Sequence, residues 1–559
     1  QSVSKRKKES AFIMRKQTKI AAVVSAAALL ALGASITSFA ASRGTWMLVD
    51  GEWYCYDSSG DPYENTFCLS NGKEYYVGDD GMLVRSQWVE DDGDYYFVNS
   101  AGQKITNDWR LTTPYDDEDA EEQWFYFQST GKRAEDKKLT IKGKTYFFNT
   151  DGEMLTGWVQ ANGDSWDEAS SDDVKSNTNT YYCGEDGARL ESTWVYDYAP
   201  SVDTDDVGSE DEEHWYYLKS SGKVATGKQS NVKGQTYFFD NEGKMLSGWV
   251  AAPTSSDGEY IQIWEDDEDT DGHFDTALSA YNDTDVYFCG EADDGHMKKD
   301  KWIKIWSNEE YGEDDDDNDE YWYYINSSGK VYIPDEVDST ASNSNASEKA
   351  KWAVRYSFED GEGEAFSDRF DTDSYGDTVF AATEKKVNSK TYYFDQDGRM
   401  LSALVMMWDS EAEAKEQDPE TGKMYYFGGW DDGQRKDGSV SMTDDNGESY
   451  RFYFATDDDA SENYFNAAGV NGARNGKLYE HGLIITATDD KYELKTVYVQ
   501  CTDSSKSDYY RYIVNKSGSI QSSAKEYEED DDVLIDASNA TFSDERGALR
   551  NSVKGAVEY

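Results

Sequence analysis

Short runs of alternating aromatic residues recur along this chain, each followed by a polar turn carrying a glycine and then a return segment. In Thr145-Tyr146-Phe147-Phe148, Tyr146 and Phe148 fall on one face and Phe147 on the other, the period of two that marks a strand. Asn149-Thr150-Asp151-Gly152 reads as a turn whose glycine takes a positive φ, and Met154-Leu155 opens the return strand. The pattern predicts β-hairpins of three types. The first spans Gly143 to Val159, Gly234 to Val250 and Ser389 to Val405. The second carries Trp-aromatic-Tyr, at Trp124-Phe125-Tyr126, Trp215-Tyr216-Tyr217 and Trp322-Tyr323-Tyr324. The third covers Tyr75 to Gly81, Tyr181 to Gly187, Tyr287 to Gly295 and Tyr425 to Gly433. Their order, third then second then first, repeats along the chain, and one extra unit lies at Tyr95 to Gly102. A lone hairpin is marginal in water, so neighbours must stack to bury their aromatic faces. The expected fold is therefore all-β: stacked β-hairpin repeats forming a solenoid, interrupted by acidic loops. Only 6 prolines among 559 residues agree with dense strand pairing.

The regular grammar fills residues 41–440, and 441–559 reads as degenerate C-terminal hairpin repeats, with Arg451 to Phe454, Lys477 to Ile485 and Tyr509 to Ile520 as its strands. The insertion from Val331 to Asn388 is expected to hold a small element around Trp352 to Phe358. Residues 1–40 read as a secretory signal peptide with an upstream extension. Arg15, Lys16 and Lys19 precede an apolar run from Ile20 to Ile36, and Ser38-Phe39-Ala40 has the small-x-small form of a cleavage site. No apolar tail or sorting signal closes the C-terminus, so surface attachment would be non-covalent.

Composition narrows the function. With 113 Asp+Glu against 54 Lys+Arg, the net charge is −59, a field that repels phosphates and excludes a nucleic-acid binder. The 17 Trp, 42 Tyr and 22 Phe exclude a simply disordered acidic chain. No membrane partner is expected once the signal is removed. Cys183 and Cys289 occupy one repeat position, held elsewhere by Val77 and Phe427, which suits a buried thiol. Cys55 and Cys68 are near enough in sequence to pair or to stay apart.

The first-type units closing on Thr156-Gly157-Trp158-Val159 and Ser247-Gly248-Trp249-Val250, together with the Trp-Tyr-Tyr units, resemble the choline-binding, or cell-wall-binding, repeat family of Gram-positive surface proteins, which includes glucan-binding repeats. The resemblance implies hairpins whose aromatic grooves hold choline of teichoic acid, or sugar rings. It also implies cages in which two or three aromatic faces hold a quaternary ammonium. Carried over residue by residue, these are Trp109 with Trp124 and Phe125, Trp194 with Trp215 and Tyr216, and Trp302 with Trp322 and Tyr323. This chain departs from the family in three ways, one being Ala403-Leu404 in place of Gly-Trp in the third first-type unit. Thr145, Thr236 and Thr391 stand where first-type units would carry a cage Trp. The paired Trp residues are separated by insertions that either loop out or destroy the cage.

The insertions are acidic, as at Glu313 to Glu320 and Glu528 to Asp532, and charge runs of this kind are usually solvated loops. Asp267, Asp269 and Asp271 with Gly272 follow calcium-loop spacing, but Leu278 stands at the twelfth position, where a bidentate Glu belongs. No other cofactor is expected. His214, His273, His296 and His481 form no ligand or triad spacing, so no catalytic residue is expected. The sequence thus reads as a secreted, non-catalytic protein that binds a bacterial cell-wall polymer at the cell surface. Two alternatives stand beside it. One is an adhesin or scaffold with structural aromatics and cation-binding loops. The other is a wall hydrolase with a catalytic module hidden in 331–388 or 440–559.

Overall fold

The computed structural model describes residues 44–550, apart from 163–164, 170–178, 201, 203–211, 256–257, 264–277, 282, 291–292, 307–319, 335–350, 357–378, 430, 444–448, 461–462 and 544–546. The signal segment and Asp267, Asp269 and Asp271 lie outside the described residues. The described chain is almost entirely strand, in antiparallel hairpins, with two short helices at Glu411–Glu416 and Asp457–Ala460. It forms two compact units. One holds the residues up to Leu139 together with Phe147–Met154, and the other holds most of the remainder.

The first unit contains the hairpins Thr45–Val49 with Glu52–Tyr56, Thr66–Ser70 with Lys73–Val77, Gln87–Asp91 with Asp94–Val98, and Asp108–Thr112 with Gln123–Phe127. After each hairpin the chain makes a tight turn around a positive-φ glycine, then lays a short third segment across the hairpin before it. The residue two past the glycine donates its backbone N–H to that earlier hairpin. Lys104 donates to Glu74, Arg133 to Tyr95 and Met154 to Trp124, each at 2.8 Å. One such bond contributes only about 1 kcal/mol net. Rings sealed between neighbouring hairpins, such as Phe97, Phe125 and Phe127, contribute about 1.5–3 kcal/mol each, so aromatic burial holds the stack and the bond sets its register.

The second unit repeats this rule. Val224 donates to Thr180 at 3.0 Å, Met245 to Trp215 at 2.8 Å, Val331 to Val286 at 2.8 Å and Met400 to Trp322 at 2.9 Å. The insertion after Val331 contributes a strand, Lys351–Tyr356, at the centre of a five-stranded sheet. That sheet joins the hairpin Phe380–Val387 with Lys390–Phe394 to the hairpin Leu404–Trp408 with Lys423–Tyr426. Beyond Gly438 the hairpins merge further: Gly438–Thr443, Ser449–Phe454, Leu483–Ile484, Lys477–Glu480 and Gly472–Arg474 form one sheet in that order. Cys55 and Cys68 lie in one core with Val77 as buried thiols. The Cys55 thiol is pushed up first by its hydrogen bond with Cys68 and then by burial. Burial also pushes Cys183 up to about 12, which suits an inert core thiol.

Candidate aromatic ligand sites

The strand register on either side of the insertions between the paired Trp residues is intact. Trp109 lies opposite Tyr126, Trp194 opposite Tyr217 and Trp302 opposite Tyr324. Because side chains alternate across a strand, Trp124 and Tyr126 share the face of Trp109, and Phe125 between them turns to the other. Phe125, Tyr216 and Tyr323, expected as cage walls, are instead sealed against Trp88, Trp158 and Trp249 with ring centroids 4.9, 4.7 and 5.0 Å apart. Period-two alternation alone would have assigned Tyr126, Tyr217 and Tyr324 in their place.

Three sites result, built alike. In the first, Trp109 stands 6.4 Å from Trp124 at 86° and 5.0 Å from Tyr126 at 59°. In the second, Trp194 stands 6.3 Å from Trp215 at 89° and 5.1 Å from Tyr217 at 56°. In the third, Trp302 lies 5.2 Å from Tyr324 at 54°, and Trp322 packs in the same cluster. The next hairpin, a first-type unit, supplies the other wall. Phe148 lies 5.7 Å from Trp109, Tyr237 and Phe239 lie 4.8 and 5.9 Å from Trp194, and Tyr392 and Phe394 lie 4.8 and 5.9 Å from Trp302. Thr145, Thr236 and Thr391 deny the first-type units a cage of their own, yet these units complete the cage of the hairpin before them. The backbone N–H groups of Met154, Met245 and Met400 then donate to the carbonyls of Trp124, Trp215 and Trp322, each Met bridging to the wall residue Phe148, Phe239 or Phe394, and Met400 packs in one cluster with Trp302 and Trp322.

The perpendicular Trp pairs, at 6.3–6.4 Å, are wider than the half-buried pair Trp158–Tyr182 at 4.9 Å and the sealed pair Trp249–Tyr323 at 5.0 Å. Trp124 is 41% exposed. Two indole faces meeting at a right angle, with one edge open to water, suit a compact cation. Carboxylates lie close by. Asp431 accepts the Trp322 indole N–H at 2.9 Å, and that bond, with Lys304, holds its carboxyl below the usual range. Burial, and then Asp294, raise the Tyr237 phenol. Among the described residues no group of three or more His, Cys, Asp or Glu is arranged to hold a metal ion.

The family described as "Putative cell wall binding repeat" matches residues 139–154, 210–224 and 385–400, each at a first- or second-type unit. The chain carries cell-wall-binding repeats of the choline-binding family. Over 202 residues it is 28% identical to a glucosyltransferase-S of Streptococcus mutans, covering 36% of this chain and 11% of that protein. Over 214 residues it is 30% identical to a glucosyltransferase-I of Streptococcus downei, covering 37% and 11%. The match thus spans about a tenth of the length of these relatives. Among solved structures, the choline-binding domain of CbpL from Streptococcus pneumoniae is 25% identical, with 37% of this chain and 90% of that one covered and a TM-score of 0.26. The autolysin LytC of the same organism is 17% identical, with 64% and 52% covered and a TM-score of 0.31. Within the choline-binding repeats of this chain, the residues matched at 139–154 and 385–400 end on Met154 and Met400, which close two of the three cages.

Proposed function

We propose that this chain is a non-catalytic cell-wall-binding protein that holds the quaternary ammonium groups of a choline-bearing wall polymer at the Trp109, Trp194 and Trp302 sites. The observation that carries the reading is the recurrence of one arrangement: two indoles, perpendicular at the Trp109 and Trp194 sites, with a Tyr, a Phe and a Met, assembled from two consecutive hairpins. An aromatic corner attracts a desolvated cation by about 2 kcal/mol. The net charge of −59 favours a cationic head group over a bare polyanion. On this reading the protein is secreted and sits on the cell surface. The glucosyltransferase relatives align with it over a tenth of their length, so the reading draws on the repeats and not on their chemistry.

The test is binding of the purified chain to cell walls with and without their teichoic acid, eluted in turn by free choline and by soluble glucan. The reading expects retention only on walls that bear teichoic acid, and release by choline. Release by glucan alone would move the ligand to a sugar ring. Retention that neither ligand disturbs would leave the aromatics as packing and favour an adhesin or scaffold. Digestion of the wall by the chain would replace the binder with a hydrolase.

A further inference from the structure

The hairpin pair before the Trp109 site has nearly the same walls. Trp88 lies 5.5 Å from Phe97, opposite it in the hairpin, and 4.9 and 5.4 Å from Phe125 and Phe127 of the next. Tyr95 occupies the place that Trp124 holds in the next site. The difference lies two residues past the turn glycine, where Met154, Met245 and Met400 close the three cages and Arg133 stands instead. Its guanidinium sits 4.4 Å from the centre of the Tyr95 ring and 5.8 Å from that of Trp88. It donates to Glu135 from Nε at 3.2 Å and Nη2 at 2.9 Å, and the side chain is only 8% exposed. The stem passes beneath Gly152, where a Cβ would fall on it. A cation with its own counter-ion thus lies over the rings where a ligand cation would lie.

The same substitution recurs elsewhere. Lys104, at the equivalent position one hairpin earlier, stands 4.6 Å over Phe67 and 5.2 Å over Tyr96 and pairs with Glu74. In the second unit Arg189 stands 5.6 Å over Tyr181 and pairs with Glu191. These two arginines carry an acid two residues on, Glu135 and Glu191, as does Arg435, two past Gly433, with Asp437. Met154, Met245 and Met400 carry Thr156, Ser247 and Ser402 there, and Met297, in a unit without the Trp pair, carries Lys299.

We propose that Arg133 is a built-in occupant that closes the Trp88 site to external cations, so that, in hairpins with a Trp on the first strand and a Trp or Tyr at the second-strand corner, the residue two past the next turn glycine decides whether the aromatic site is open. The choice of a quaternary ammonium as external ligand rests on the function proposed above. Arg133 is the most informative position because only its site retains a Trp and a Tyr beneath the cation. Arg133→Met with Glu135→Thr rewrites that segment to the Met-x-Thr of the neighbouring open site, a sequence the fold already accommodates.

The experiment is calorimetric titration of the full chain with tetramethylammonium, counting sites. The unmodified chain is expected to show three and the double variant four. The reciprocal variant, Met245→Arg with Ser247→Glu, is expected to show two. Near-UV circular dichroism establishes that each variant retains its aromatic packing. If the unmodified chain and the Arg133 variant bind equal numbers, the inference is overturned whatever that number is. If the unmodified chain binds none and the Arg133 variant binds one, the proposed function fails and the inference stands. Three sites in the unmodified chain, three in the Arg133 variant and three in the Met245 variant would overturn the inference and leave the function intact.

Discussion

Trp194 and Trp249 lie in the same unit, at the same place in their hairpins, and have opposite fates. Trp194 faces Tyr217 across its hairpin and Trp249 faces Phe288. Trp194 stays half-buried, with Trp215 on one side and Met245 bonded to the Trp215 carbonyl. Trp249 is fully buried. Val286 and Val331 stand where Trp215 and Met245 stand in the other site, and Val331 bonds to the Val286 carbonyl. The insertion after Trp249 folds back over it: Ile261–Gln262 pairs with Val250 and Ala251, and Ile263, Leu278 and Tyr281 pack against the ring cluster. A repeat tryptophan is therefore not in itself a binding residue. Its role is set by the second-strand residue beside it and by what the insertion covers.

The comparison breaks first at Trp249. Trp249→Ala should cost about 3–5 kcal/mol of stability, as removal of a sealed core indole does, and leave the affinity of the Trp194 site unchanged. Urea melts alongside a choline titration check both halves. If affinity falls as well, the two tryptophans belong to one cooperative block and the contrast drawn here is wrong.

A pH effect is expected on the Trp194 side. Asp240, in the turn after Phe239, accepts the N–H groups of Glu242 and Lys244 at 2.8 Å each. Burial pushes its carboxyl up to about 6, against the pull of those bonds and of Lys244. Since the folded chain binds this proton more tightly than the unfolded chain, its contribution to stability is greatest below about 3.8 and is lost as pH rises through about 6. Sister turns carry Asn99, Asn149 and Asn326, whose side chains accept equivalent bonds without the charge. Asp240→Asn should therefore add about 2–3 kcal/mol at most at pH 7 and flatten the stability profile between pH 4 and 6. Thermal melts across that range would show it, and an unchanged profile would place Asp240 in water.

Trp215→Ala should weaken quaternary-amine binding at its site by ~1–2 kcal/mol, with stability measured in the same variant. Phe238→Ala removes a ring sealed against Tyr287 and Tyr260 on the other face, and should lower stability without a specific loss of binding. If both variants lose affinity only in proportion to unfolding, the corner at Trp194 is core like Trp249. The smallest effect expected is a modest rise in melting temperature from low to moderate salt, as screening relieves self-repulsion at a net charge of −59. A flat response would mean that the acidic loops stand too far from one another to matter.

The hairpins and their stacking were legible in the sequence, because turn glycine, strand alternation and the Trp-x-Tyr signature are local and recur. That each of these hairpins carries one Trp on either strand was legible for the same reason. Phe125, Tyr216 and Tyr323 were assigned to the wrong face because adjacency in sequence was read as adjacency in space, which a strand forbids. The second wall, from Phe148, Phe239 and Phe394, was hidden because it comes from the following hairpin, and its Thr-bearing unit looks deficient when read alone. The sheet centred on Lys351–Tyr356 was visible only as an apolar element inside a long insertion, since its partners lie on both sides of the break.

The central claim is that the Trp109, Trp194 and Trp302 corners are ligand sites and that Trp158 and Trp249 are core. It is tested most directly by labelling the chain with indole-15N tryptophan and following the Nε1–H resonances, assigned by single substitutions, as choline is added. The account predicts saturable shifts for Trp109, Trp124, Trp194, Trp215, Trp302 and Trp322, with Trp158 and Trp249 unmoved. Shifts confined to Trp158 and Trp249, or no shift at any indole while the chain still binds walls, would contradict it.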